Sequence, residues 1–213
     1  MSLPSEYYFV RVNGRTVHNN PNTPDCHVAG EPPDYPATAF DYAEYCLRYD
    51  LVRLGWPGAG DLRDHPDVPE STPCYGVLSD RVRNHLRDFK AIAAGAGILM
   101  PDRKRAGVLY AGDAKLPYGY FYELPNHPFE CAHRVGVRWD LDPASGRPVE
   151  YHADDFGVSP RGGWWLWALH HLTPERHREL IDRINAQRLR RRRPVVDEGA
   201  QSPPTGPDSR YEG

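Results

Sequence analysis

The chain has 213 residues, 39% of them hydrophobic, with a formal net charge of −3 and a pI near 6.4. The length suits one ordinary domain plus tails, and the absence of any apolar run near the ~20 residues that cross a bilayer excludes a helical membrane protein. An acidic balance gives no global pull towards nucleic acid, so such binding must come from a local patch.

Met1 to Tyr7 carry no basic region followed by an apolar stretch, which leads us to expect a cytoplasmic protein. The cysteines (Cys26, Cys46, Cys74, Cys131) show no CxxC spacing and fit reduced thiols rather than a disulfide scaffold or zinc ribbon. Residues 6–12, rich in aromatic and β-branched side chains, predict a first strand. Residues 13–36 carry Asn-Gly, Asn-Asn-Pro-Asn and Pro32-Pro33 and read as a long loop. From Ala37 to Arg48 the spacing turns helical through Phe40, Ala43 and Leu47, with Thr38 as candidate N-cap. Asp50 to Gly55 reads as a buried strand, broken by Trp56-Pro57-Gly58, and residues 64–75 form a proline-rich loop. Ser79 caps a helix with Val82, Leu86 and Phe89 on one face. Ile98–Pro101 and Gly107–Gly112 predict a hairpin across Asp102–Ala106. Further strands are expected at Tyr118–Glu123, His133–Trp139, Pro148–Tyr151 and Trp164–Ala168, with a turn at Asp142–Gly146. Thr173-Pro174-Glu175 opens a last helix whose apolar face holds His177, Leu180, Ile181 and Ile184. Pro194 stops it.

We therefore expect a single domain over residues 1–190 and a disordered tail over 191–213. The 22 prolines and 19 glycines favour short strands over a helical bundle. Strands grouped between helices suggest α+β: a small curled sheet or barrel of about five to seven strands flanked by three helices.

Aromatic residues dominate the candidate chemistry, with 13 tyrosines and 5 tryptophans. Trp56 sits at a strand end between Gly55 and Pro57. Alternation sends Trp164 and Trp165 to opposite faces, so both cannot enter one core. Tyr110 belongs to a second aromatic group with Tyr118, Tyr120 and Tyr122. Such rings either fill a core or stack on a flat base. Asp61 and Arg63 follow Trp56 closely. A carboxylate beside an indole can read the edge of a base; the plainer reading is a turn aspartate bonding its own backbone. Asp102 after Pro101, with Asp113-Ala114-Lys115, fits the sparse PD…(D/E)xK pattern of Mg²⁺-dependent nucleases, in which two carboxylates hold a hard cation and a lysine helps activate water. His170-His171 and Cys131-Ala132-His133 lack the spacing of a zinc site. The block from Arg188 to Arg193 is either a solvated helix end or a phosphate-binding segment through Arg188, Arg190, Arg191 and Arg192.

Several segments together resemble the PUA-like superfamily, in its EVE/YTH-type branch. They are Leu54-Gly-Trp-Pro57 with Gly60-Asp-Leu62, Ala96-Gly-Ile-Leu-Met-Pro101, Gly107-Val-Leu-Tyr-Ala-Gly-Asp113 with Pro117-Tyr118, and Ala132-His-Arg-Val-Gly-Val-Arg-Trp139. The chain departs from that pattern at Gly95-Ala96-Gly97, where the branch carries Gly-Asp. The resemblance implies a small β-barrel that accepts a single, modified base in an aromatic cage without catalysis and without a cofactor. It implies DNA or RNA, methylated in some members, as partner, and a separate effector or nuclease subunit, as in bacterial modification-dependent restriction. Carried onto this chain, Trp56 forms one wall, Trp164 or Trp165 the other, and Asp61 accepts from the base edge. The alternative reading is the nuclease of Asp102, Asp113 and Lys115.

Overall fold

The computed structural model describes residues 3–11, 41–55, 59–65, 67–72, 76–102, 104–120, 133–159 and 168–192. In chain order the elements are β1 (Tyr7–Val10), α1 (Tyr42–Arg48), β2 (Leu51–Leu54), β3 (Ser71–Thr72), β4 (Gly76–Val77), α2 (Asp80–Lys90), β5 (Gly97–Pro101), β6 (Val108–Tyr120), β7 (His133–Trp139), β8 (Glu150–His152), β9 (Leu169–Leu172) and α3 (Pro174–Arg192). Short 3-10 turns lie at Leu62–Asp64 and Ala153–Phe156. β3 and β4 form a small separate pair.

The other seven strands make one mixed sheet in the order β2-β7-β6-β5-β1-β9, with β8 added to β6. Among the described residues only β1 and β5 pair in parallel. The α+β class and three helices agree with expectation. Among the described residues the sheet path ends at β2 and β9 and does not close into a barrel.

Side-chain alternation explains why both sheet faces are covered. From β1, Tyr8 and Val10 enter one core, with Cys46 of α1 and Leu86 and Phe89 of α2. Tyr7 and Phe9 enter a second core, where Ile181 and Ile184 of α3 and Phe156 pack on Leu99, Leu109 and Tyr151. Burying both faces gives β1 and β5 continuous apolar sequences in place of a polar–apolar alternation.

Local chemistry sets most boundaries. Ser79 accepts from Val82 N at 3.4 Å and starts α2 as expected. Asp41, not Thr38, caps α1, accepting from Glu44 N at 2.8 Å. Thr38 and the 13–36 loop lie outside the described residues. The strands read as 107–112 and 118–123 are joined: β6 runs unbroken to Tyr120, with register shifts at Ala114/Leu116 and Leu116/Tyr118. Two bulges absorb Lys115 and Pro117, and Pro117, which has no N–H to give a ladder, sits where pairing is already irregular. β8 starts two residues later than the predicted strand. The described part of the last strand begins at Leu169, after the predicted end at Ala168, while residues 160–167, with Trp164, Trp165 and Trp167, lie outside the described residues. α3 continues to Arg192, past the expected domain end at residue 190. Residues 193–213 lie outside the described residues.

Candidate functional site

At one end of the sheet the register sets Leu54 of β2 and Tyr120 of β6 on either side of His133 of β7. Further along the chain, Leu62 lies at this end, where its N meets the Tyr118 hydroxyl. Gly60 takes a positive φ of 69°, and Asp61 then caps the 3-10 turn, its carboxylate accepting from Arg63 N at 3.0 Å. Arg63 also grips the same carboxylate with its guanidinium, by Nε to both oxygens at 3.0 Å and through Nη2. That pairing, first of all, holds the Asp61 carboxyl below its ordinary range. Asp61 thus does bond its own turn, as the plainer reading of the sequence required. Arg63 remains 58% exposed in its side chain, so it keeps donors facing solvent.

Beneath this turn lies a buried polar pair. Leu62 N donates to the Tyr118 hydroxyl at 3.2 Å, and that hydroxyl lies 2.7 Å from His133 Nδ1. The phenol oxygen thus accepts from the backbone and shares a second hydrogen bond with the imidazole. Burial, the leading cause, pushes the Tyr118 phenol up to about 12. The Tyr118 and Tyr120 rings flank His133 at 5.7 and 5.4 Å between centroids, and Phe89 meets Tyr118 edge-on at 6.4 Å. At neutral pH the Tyr118 phenol keeps its proton, and its bond from Leu62 N holds the Asp61 turn in place.

The structure brings together only some of the expected residues. Asp61 and Arg63 are adjacent, and Trp56 follows Gly55 in the chain but lies outside the described residues, as do Trp164 and Trp165. Tyr110 does not join them. It lies eight residues before Tyr118 on β6, roughly 25 Å along the strand, where its hydroxyl takes Arg105 in a cluster with Asp102 and Glu150. Tyr118 and His133, whose pairing supports the Asp61 turn, were not among the expected site residues.

The shared-cation reading of Asp102 and Asp113 does not fit this geometry. Asp113 lies opposite Gly97, whereas Asp102 N bonds Val108 O at 2.9 Å, so the two sit at opposite ends of the β5–β6 hairpin, roughly 17 Å apart. Asp102 accepts from Lys104 N, Arg105 N and Arg105 Nε. Asp113 is held by Arg188 at 2.8 Å, Arg192 at 3.2 Å and Arg138 at 3.3 Å. Lys115 is exposed on the bulge. Among the described residues no group of three or more His, Cys, Asp or Glu side chains is arranged to hold a metal.

The arginine block divides between interior and surface. Arg188 is fully buried, bidentate to Asp140 at 2.7 Å on both oxygens, and also donates to Tyr7 Oη at 2.9 Å. Tyr151 Oη donates to Asp140 at 2.8 Å. Arg188 is therefore a core residue and not a phosphate contact, because its guanidinium is committed to two buried carboxylates. Arg192 is partly engaged with Asp113 and Asp140, while Arg190 and Arg191 are exposed.

No family model matches the chain, and neither a curated protein nor a solved structure is found similar to it. None of the three helices in the described residues is long and apolar enough to cross a membrane.

Proposed function

We propose that this chain is a nucleic-acid-binding module that accepts a single, modified base of DNA or RNA beside the Asp61 turn, without catalysing a reaction. One observation carries the reading: a carboxylate–guanidinium pair is fixed at the rim of the sheet end, over a buried Tyr118–His133 pair, in the segment that follows Trp56. A fixed acceptor with exposed donors beside it suits the polar edge of a heterocycle, and an indole supplies the stacking wall. The PUA-like, EVE/YTH-type barrel belongs to the same proposal. The β6 bulges support it, since each extra residue adds local twist and curls the sheet. Trp164 or Trp165 is the second wall, and Arg190 and Arg191 are candidate phosphate contacts. A separate effector subunit would act on what the module reads.

Tryptophan fluorescence titrated with matched methylated and plain oligonucleotides tests this reading. A clear preference for the methylated strand is expected. Trp56→Ala should weaken binding by about 1–3 kcal/mol if the indole stacks on a base. Equal, weak quenching by both strands, with no effect of Trp56→Ala or Asp61→Asn, would remove the proposal.

A further inference from the structure

Thr173-Pro174-Glu175 opens α3 as expected, but the first turn stands apart from the rest of the helix. His177 leaves helical geometry, with φ −133° and ψ 23°, so α3 bends there. The bend lets the imidazole fold back on the turn before it. Thr173 N donates to His177 Nδ1 at 3.2 Å, while Arg176 N and His177 N bond Thr173 O at 3.2 and 2.9 Å. In a capping box a Glu or Gln at the third helical position takes the N–H of the cap residue. Here that position is Arg176, which has no acceptor, and His177 takes the role. Only an unprotonated Nδ1 can accept, so the bond needs a neutral ring.

The ring packs on a second histidine. His170 of β9 lies opposite Phe9 of β1 and so faces α3, and the two imidazoles meet edge-on at 5.6 Å between centroids. Burial first, then His177 and His171, holds His170 below its ordinary value of 6.5, so it is uncharged at neutral pH. His170 in turn lowers His85 of α2. His171 turns to the other sheet face, against Tyr8 at 4.2 Å and Glu6 at 2.8 Å. Arg11, two residues beyond Phe9, shares the His170 face by alternation. On α3 itself Glu175, Arg176, Arg178 and Glu179 flank His177 around a cavity of about 450 Å³. Val158 and Leu180 also line it, and Arg183 bonds Phe156 O there at 3.1 Å. Beyond the bend α3 is anchored independently, by Ile181 and Ile184 in the second core and by Arg188 on Asp113 and Asp140.

We propose that His177 is an acid-operated latch: a proton on Nδ1 releases the Thr173–Arg176 turn from β9, while α3 from Arg178 onward stays docked. The proton replaces an acceptor by an N–H aimed at another N–H, and it sets a cation against the His170 ring. The closed state demands a bare Nδ1 and an uncharged neighbour; the open state demands neither and binds protons better. Closure is therefore complete above the range in which imidazoles take up protons, about pH 5–8, and is lost as the pH falls through it. Glu175 stays ionised across that range, because its own backbone N–H, foremost, and Thr173 hold its carboxyl below the ordinary value of 4.5. Release bares Val158 and Leu180 at the edge of the second core.

The test is amide hydrogen exchange of the ¹⁵N-labelled full chain, corrected for intrinsic rates, at about pH 7.5 and about pH 5.5. Thr173 N–H should lose about tenfold or more of its protection at the lower pH, while Ile184 N–H keeps its own. His177→Asn places a non-titrating acceptor, Oδ1, where Nδ1 stands, and should keep Thr173 protected under both conditions. His177→Leu should leave Thr173 unprotected under both. Equal protection of wild-type Thr173 at the two pH values overturns the latch. An equal loss at Ile184 overturns it too, since that marks general acid unfolding. So does a loss in His177→Asn as large as in the wild type, which assigns the response to another group.

Discussion

Asp50 is, among the described residues, the non-glycine position with a left-handed backbone, at φ 52°. It turns the chain from α1 into β2, and its carbonyl accepts from Val137 N at 2.7 Å, fixing the turn to β7. Aspartate tolerates this conformation at a cost that glycine does not bear. Asp50→Gly should raise stability by about 0.5–1 kcal/mol in urea unfolding, and Asp50→Val should lower it. His85 governs a different response. It is buried on α2, and burial, followed by Arg81 and His170, pushes its pKa from 6.5 down to about 4. Between those values the unfolded chain takes up a proton that the folded chain refuses. The contribution of His85 to stability is therefore complete above pH 6.5 and is lost as the pH falls towards about 4. His85→Leu should flatten the fall of the urea midpoint across that window; an unchanged slope would assign the acid response to other groups. Residue-level chemistry of local origin was open to reading from sequence. The Asp142 turn forms as expected, with the carboxylate accepting from Ala144 N and Ser145 N.

Two contacts between elements decide how the sheet is held. Gly97 of β5 lies beneath the Tyr7 ring of β1, and a Cβ there would stand 2.2 Å from ring carbons. The aromatic face covers a position that no larger residue can share. Gly97→Ala should cost about 1–3 kcal/mol through this overlap, measured by denaturant unfolding, and Tyr7→Ala should relieve the overlap in the double variant. Arg188, which donates to the hydroxyl of the same tyrosine, joins α3 to Asp113 and Asp140. Arg188→Met leaves buried carboxylates short of a partner, and a loss of about 3–5 kcal/mol is expected. Periodicity and caps made β2, α2, β5, β7 and the start of α3 legible. The continuity of β6 was not, because Lys115 and Pro117 look like a strand end until β7 is set beside them. The inward face of α3 was written in the spacing of Ile181, Ile184, Arg188 and Arg192. Arginine at those positions reads as solvent-facing, since its acceptors, Asp113 and Asp140, are distant in the chain. The same separation hid the Tyr118–His133 pair under the Asp61 turn, whereas the Asp61–Arg63 bond, two residues apart, was within reach.

For the molecule as a whole, a net charge of −3 gives a polyanion a weakly repulsive background, so binding of one would have to come from local exposed cations such as Arg63, Arg190 and Arg191. The two ends of the described chain also meet. Tyr7 Oη donates to Asn185 Oδ1 at 2.5 Å, Asn185 Nδ2 donates to Pro4 O at 3.0 Å, and β9 completes the edge beside β1. Ending the chain after Gln187 should abolish cooperative unfolding and near-ultraviolet dichroism, because the second core loses the arginine that fastens its helix. This closure also sets a schedule for synthesis. A ribosome must reach β9 and α3 before the first strand finds its last neighbours, so the nascent polypeptide carries an unfinished apolar face until then. Holdase chaperones have that interval in which to act, and a product of premature termination, lacking the final helix, is marked for proteolysis by the face it leaves bare.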